Sequence, residues 1–423
     1  MIKKKINFKY IILFFLIFTL NFQSDAFSSI SKEKFINQIA FIERNYKEYE
    51  VTKASNLIDL NENLIQNLAL ELGELEIDVK IAYYQEVSEL LNEIKSNVLL
   101  KVIEKDAKNN NSIKELDNIQ LAKISLVFER TIPSLYKDNR SINDSPYLLA
   151  SIINESDIKL SNEIVKKISN TSTENNNSNS LAANVVYYAS EINSNFLLDI
   201  DKEVKNILIK QSVNELSNEL KNNKYKIQKK LNNNYAQDSL LALSSAVLKS
   251  KSEISIDIIS AIENISSNEK KKISFEIIKQ TSELNEWNDE KDMNYVKNKN
   301  FFAEKIFPIG FSNIDQDKID AAGKLIQNTD PKTSEILIKS IINNLIAENN
   351  NFNRLDQITT NSLGEIFNTA KVNNSQIIKS KFEAETIFNS FFEDTLDSSL
   401  LKNPQFQSSF ALISKKKFNL NNV

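Results

Sequence analysis

Apolar residues recur along most of this chain every three or four positions, the spacing of one face of an α-helix. The longest run extends from Leu57 to Val102, where twelve steps cover 45 residues, or 3.75 residues per step. A left-handed coiled coil holds a spacing of about 3.5. The wider spacing predicts long helices that present a broad apolar face to their neighbours. Gly73 lies within this run and predicts either a hinge between two helices or a tolerated weak point, and the polar residues 109–112 predict its end.

The rest of the chain predicts further helices joined by short polar turns. Residues 113–130 predict a helix that stops before Pro133, and residues 131–146 predict a loop. Beyond them the pattern predicts helical hairpins at 147–153 with 160–168, 240–248 with 254–265, 321–327 with 334–345, and 363–370 with 377–392. Asp330 is a predicted helix N-cap.

These patterns predict an all-α protein. Strand-like alternation and glycine-based hairpin turns are absent from the sequence. The hairpins start at irregular intervals, which favours an irregular helical-hairpin superhelix, or α-solenoid-like fold, with long N-terminal helices over a regular repeat array.

Polar low-complexity sequence at residues 170–180 suggests a division of the chain. We predict an N-terminal helical region at 27–169 and a C-terminal helical-hairpin region at 181–423, with residues 171–180 as a polar linker or loop. A second polar stretch, at 222–234, leaves an equal alternative: two long loops within one elongated body.

The first 26 residues have the pattern of a secretory signal peptide. Four lysines precede an apolar run from Tyr10 to Leu20, and the small residues Ser24 and Ala26 occupy the −3 and −1 positions of a predicted cleavage site after Ala26. The run is shorter than the roughly 20 residues of a membrane-spanning helix. We therefore predict export to the periplasm or outside of the cell, with no stable membrane span after cleavage. The alternative is an uncleaved anchor. Abundant Asn, Ile and Lys indicate a low-GC bacterium.

The charge balance argues against a nucleic-acid partner. The net charge is −4, and loss of residues 1–26 removes four lysines and one aspartate, which leaves −7. Nucleic-acid binding requires a net basic surface.

Missing residue types exclude several chemistries. The chain has no histidine and no cysteine, which excludes Ser-His-Asp triads, thiol nucleophiles and metal sites built on these ligands. Its four glycines are too scattered for a phosphate-binding loop. Asp315, Asp317 and Asp320 fit the start of a helix better than a calcium loop. We predict no enzymatic activity, no cofactor and no metal.

Two segments are candidates for partner binding. The first holds the only tryptophan among clustered aromatic residues, and its proline and glycine predict a turn that exposes apolar surface. The other interpretation is that these side chains pack in the core. The aromatic candidates of this first segment are Trp287, Tyr295, Phe301, Phe302, Phe307 and Phe311. The second segment carries Arg130 and Arg140, two of only four arginines, for which surface salt bridges are the alternative.

Together these observations predict an exported, non-enzymatic helical scaffold or protein-binding protein of the cell envelope, with a protein or peptide partner. Two alternatives remain open. One is a carboxylate-dependent hydrolase acting on peptidoglycan, which would use a pair of acids. The other is a structural organiser tethered to the membrane by an uncleaved N-terminal segment.

Overall fold

A computed structural model of the chain describes residues 30–52, 56–135, 145–174, 180–192, 195–221, 238–284, 287, 293–312 and 315–330, with individual positions between 332 and 344. The predicted all-α class is confirmed, since the described residues form α-helices packed on one another and contain no strand. The predicted signal peptide, Arg140 and the predicted hairpin at 363–392 lie outside the described residues.

The helices belong to two compact units. The first unit contains α1 to α5, and residues 155–160 also belong to it. Its helices are α1 (Lys32–Thr52), α2 (Asn56–Gly73), α3 (Ile77–Ser88), α4 (Glu93–Asn110) and α5 (Asn118–Ser134). Helix α4 packs against α1, α2 and α3, and α3 also packs against α5.

The second unit contains the remaining described helices, apart from residues 155–160. They are α6 (Ser145–Glu155), α7 (Ile158–Glu174), α8 (Leu181–Ile192), α9 (Phe196–Asp199), α10 (Lys202–Lys221), α11 (Ser239–Lys249), α12 (Ser252–Glu263), α13 (Ser267–Thr281), α14 (Met293–Gly310) and α15 (Gln316–Gln327). Helix α11 packs against α8, α10, α12, α13 and α14. Residues 171–174 of the predicted linker form the end of α7, and Ser180 directly precedes α8.

The long apolar run is divided into three helices. Helix α2 ends at Gly73 and α3 begins at Ile77, so the hinge interpretation of Gly73 is confirmed. A second break separates α3 from α4. Helix α4 ends where predicted, because Asn111 takes the left-handed conformation (φ 51°) and its N–H donates to Ala107 O.

One predicted hairpin is confirmed, since α11 and α12 are helical and pack against each other. The two arms of another are helical as predicted, as α6 and α7. The first arm of the third hairpin is α15. The predicted N-cap is also confirmed, since Asp330 Oδ1 accepts a hydrogen bond from Thr333 N at 3.0 Å. Asp315 likewise caps α15, by accepting from Lys318 N at 3.0 Å.

Two predictions based on proline are wrong. Helix α5 continues through Pro133 to Ser134, because burial of Thr131 and Ile132 outweighs the loss of the one N–H that proline lacks. The predicted turn around Pro308 is helical as well, since α14 runs to Gly310. The aromatic residues there recur at helical spacing and pack on neighbouring helices, which outweighs the local turn signal.

The helix ends use few glycines. Side chains of Asn92, Asp117 and Asp238 cap the starts of α4, α5 and α11. Lysines on neighbouring helices supply donors at C-terminal ends: Lys272 Nζ donates to Leu220 O at 2.9 Å, at the end of α10. Lys270 Nζ donates to Glu263 O at the end of α12. Charged donors at these carbonyls also suit the negative end of the helix dipole.

Candidate functional site

The most concentrated chemistry in the second unit is a pair of buried acids on α10. Glu215 is 0% exposed and Glu219 is 8% exposed. They lie four residues apart, so they share one face of the helix. This face meets the starts of α8 and α11. We refer to Glu215 and Glu219 together with Ser180 and Ser239 as the acidic seam.

Glu215 caps the start of α8. Its two carboxylate oxygens accept from Ala182 N at 3.1 Å and from Ala183 N at 2.9 Å. These N–H groups belong to the first turn, where a helix has no internal acceptors. The carboxylate therefore satisfies two donors and also faces the positive end of the helix dipole.

Glu219 contacts both helix starts. Ser180 Oγ, just before α8, donates to Glu219 Oε1. At the first residue of α11, Ser239 N donates to Oε2 at 2.9 Å and Ser239 Oγ donates to Oε1 at 2.8 Å. Ser180 has a left-handed backbone (φ 53°), which non-glycine residues adopt infrequently. Glu219 thus joins two helices that begin far apart in the sequence.

Burial raises the pKa of the Glu219 carboxyl from 4.5 to about 7. Desolvation disfavours the charged form and is the largest cause. The hydrogen bonds from Ser180 and Ser239 oppose it, and the nearby Asp238 carboxylate adds to it. Burial also raises the pKa of Asp238, while its hydrogen bond from Leu241 N acts in the opposite direction. The seam therefore holds a carboxyl group that titrates near neutral pH.

A second buried network lies in the first unit and centres on Asp106. Lys80 Nζ lies 3.0 Å from Asp106 Oδ1, and the two side chains are 4% and 1% exposed. Tyr84 OH donates to Oδ2 at 2.8 Å, Ser112 Oγ donates to Oδ2 at 2.6 Å, and Asn110 Nδ2 donates to Oδ1 at 2.7 Å. Four donors thus surround one carboxylate. Burial and the adjacent Asp106 carboxylate raise the pKa of Tyr84, so its hydroxyl remains a donor.

The aromatic candidates divide into two groups. Trp287, Phe302, Phe307 and Phe311 are fully buried, so their rings pack the core and offer no surface to a partner. Their burial agrees with the packing interpretation. Tyr295 and Phe301 are half-buried on α14. Their role in partner binding remains a prediction.

Contacts around Trp287 explain its burial. Trp287 Nε1 donates to Leu325 O at 2.8 Å, near the end of α15. The ring of Phe302 packs edge-on against the indole with 5.6 Å between centroids. The Lys299 ammonium lies 5.8 Å from the indole centroid, within cation–π range. Trp287 therefore contacts α15 through its indole N–H and α14 through its ring.

The arginine segment is only partly described. Arg130 Nη1 lies 3.4 Å from Glu89 Oε1 and donates to Ser88 Oγ at 3.3 Å. The geometry matches the surface salt bridge that we considered as the alternative. Its role in partner binding also remains a prediction, and Arg140 lies outside the described residues.

The described residues contain neither a cluster of acids that could hold a metal ion nor a helix that could span a membrane. Within these ranges, no three Asp or Glu side chains come close enough to hold a metal ion. No helix in the described part of the chain has both the length and the apolar character needed to cross a bilayer.

Sequence reasoning missed the acidic seam. A signal was present, because Val204, Leu208, Ser212, Glu215 and Glu219 recur at helical spacing and all five are buried. Two acids in an otherwise buried stripe indicate that the neighbouring elements supply donors. The identity of those donors depends on how α8 and α11 pack, which the pattern of α10 does not contain.

Comparisons with protein-family models, with curated proteins and with solved structures find no match to this chain.

Proposed function

We propose that this protein is an exported, non-enzymatic helical scaffold that binds a protein or peptide partner in the cell envelope. The observation that carries the proposal is the use of the buried acids. Glu215, Glu219 and Asp106 all direct their oxygens to helix starts, hydroxyls or a lysine within the fold. Acids committed in this way hold helices together and are poorly placed to meet a substrate.

Composition supports the same proposal. Without histidine or cysteine, the chain lacks the usual nucleophile activators and thiolates. Helices that pack through broad apolar faces leave their opposite faces for contact with other proteins. The N-terminal segment supports export, and an exported scaffold without cysteine relies on packing and buried hydrogen bonds for its stability.

Photo-crosslinking in the producing cell tests partner binding. A photoreactive phenylalanine analogue replaces Tyr295 or Phe301, which are aromatic and half-buried on α14. The matched control replaces Tyr83, which is also half-buried but lies on α3. We expect one discrete crosslinked protein from the α14 positions and none from the control. The same pattern of products from all three positions would contradict a specific surface on α14.

A zymogram on purified peptidoglycan tests the hydrolase alternative. We expect no clearing by the purified chain. Clearing that is lost in Glu219→Gln would instead make this carboxyl, which titrates near neutral pH, a general acid. Intact mass of the protein from its own cell tests export: loss of residues 1–26 supports a cleaved signal, and their retention supports the membrane tether.

A further inference from the structure

The Glu219 carboxyl accepts hydrogen bonds from residues at the starts of two helices. Its partner Ser180 precedes it by 39 residues and its partner Ser239 follows it by 20 residues. Both helices that it joins also pack directly against α10 and against each other. A change in the bonding of this carboxyl therefore acts on three helices of the second unit at once.

The two protonation states bond differently. An ionised carboxylate only accepts, and here it accepts from one backbone N–H and two serine hydroxyls. A protonated carboxyl also donates, and either serine hydroxyl can turn to accept that proton. The ionised form carries a charge in a site that is almost closed to water, whereas the neutral form does not.

The charged groups around Glu219 come from several elements. On α10 they are Glu215 and Lys221. Asp238 immediately precedes α11, while the start of α8, residues 180–184, contains no titratable side chain. Helix α13 contributes Lys272, Glu269 and Glu276. The Lys205–Asp257 pair between α10 and α12, and Asp199 on α9, lie near the opposite end of α10.

These charges partly compensate one another. Lys221 pairs with Glu269, and Lys272 donates to the carbonyl of Leu220. Asp238 therefore remains as the near acid, and its carboxylate opposes a further negative charge. Burial also raises the pKa of Glu276 on α13. The surroundings thus favour the neutral form of Glu219.

We propose that Glu219 is a proton-controlled clasp: with its proton bound it holds the starts of α8 and α11 against α10, and loss of the proton loosens this seam. The clasp is a property of the second unit and does not depend on the partner or location of the protein. It makes local stability respond to pH near neutrality in a chain that has no histidine to do so.

The direction of the pH effect on stability follows from thermodynamic linkage between proton binding and folding. The folded chain keeps the Glu219 proton up to a pKa of about 7, whereas the unfolded chain releases it near 4.5. The stabilisation is therefore fully present below the lower value and is lost as pH rises through the upper one. If the carboxyl becomes fully exposed when the seam opens, the equilibrium constant for opening is roughly 70-fold larger at about pH 8.5 than at about pH 5.

Hydrogen–deuterium exchange of the full chain measures this opening. Rates are corrected for the intrinsic effect of pH and compared between about pH 5 and pH 8.5 for peptides from α8, α11 and, as a reference in the other unit, α4. The test variant is Glu219→Gln, which keeps the shape but stays neutral. The matched control is Glu203→Gln, because Glu203 is an exposed acid on the same helix.

In the wild type and in Glu203→Gln we expect protection of α8 and α11 to fall as pH rises, while Glu219→Gln stays close to the acid value throughout. Equal pH dependence in Glu219→Gln would overturn the proposal, and so would wild-type protection that does not change with pH.

Infrared difference spectra of protein with ¹³C-labelled glutamate carboxyls provide an independent readout, which also decides the matter if Glu219→Gln fails to fold. A protonated glutamate carboxyl that ionises near pH 7 in the wild type and persists in Glu276→Gln, which removes the other glutamate whose pKa burial raises, supports the clasp. Its absence contradicts it.

Discussion

At the scale of single residues, asparagine and lysine perform tasks that glycine performs in most proteins. Helix C-terminal ends commonly use glycine in the left-handed conformation. Here Asn111 takes that conformation, and no described glycine has a positive φ. Lysines from neighbouring helices close other ends, as Lys272 does at Leu220. The scarcity of glycine is thus compatible with well-closed helices.

The Asp106 network gives the sharpest prediction at this scale. Substitution Lys80→Met retains an apolar stem of similar length but leaves the buried carboxylate without its counter-ion. Removal of one partner from a buried pair costs about 3–5 kcal/mol. We expect a loss of this size in the free energy of unfolding of the first unit, measured by urea denaturation.

The control for this prediction is the exposed pair between Lys123 and Asp78, which lies in the same unit at 3.3 Å. Solvent screens this pair, so Lys123→Met should change stability little. Equal losses of unfolding free energy in the two variants would show that the buried Lys80–Asp106 pair matters no more for stability than an exposed pair.

At the scale of elements, the contact of α13 with α14 depends on a close approach at Gly310. A Cβ atom at this position would lie 2.6 Å from Phe275 N and 2.7 Å from Ser274 C. Both are backbone atoms of α13 and cannot turn aside. Gly310 also lies beside Phe307 and Phe311, whose stacked rings are 4.9 Å apart between centroids.

We therefore expect Gly310→Ala to force α14 away from α13 and to destabilise the second unit by about 1–3 kcal/mol, as overpacking generally does. Alanine is the better helix former by about 1 kcal/mol, so a loss isolates the steric effect. Thermal unfolding of the variant is compared with that of Lys305→Ala, an exposed substitution on the same helix. Unchanged stability of Gly310→Ala would show that α13 and α14 can move apart to admit the added methyl group at no cost in stability.

At the scale of the whole molecule, each compact unit has its own buried core. Phe35, Tyr84 and Phe128 belong to the first, and Trp287 and Phe302 belong to the second. Separate cores of this kind allow separate unfolding. Lys80→Met should therefore lower hydrogen-exchange protection within the first unit only, and Gly310→Ala within the second only. Loss of protection throughout the chain in either variant would show that the units unfold as one.

The helical class and many helix ends were predictable because both are encoded locally. The three-to-four spacing around Leu68 and Val98 fixes buried faces, and Asp330 and Gly73 mark ends by their own chemistry. Pro308 misled because a local turn signal competes with packing that depends on α13. The acidic seam was not predicted for a related reason, because only tertiary structure brings the donors Ser180 and Ser239 to Glu219.

The lysine-closed helix ends have a consequence for handling the protein. Reagents that acylate amines would turn the Lys272 ammonium into a neutral amide and remove the charged donor from the Leu220 carbonyl. Attachment to a resin or dye through amines would thus loosen the end of α10. The chain has no thiol of its own, so Met293→Cys would introduce the only one. That residue is 78% exposed at the start of α14, where the helix dipole favours the reactive thiolate.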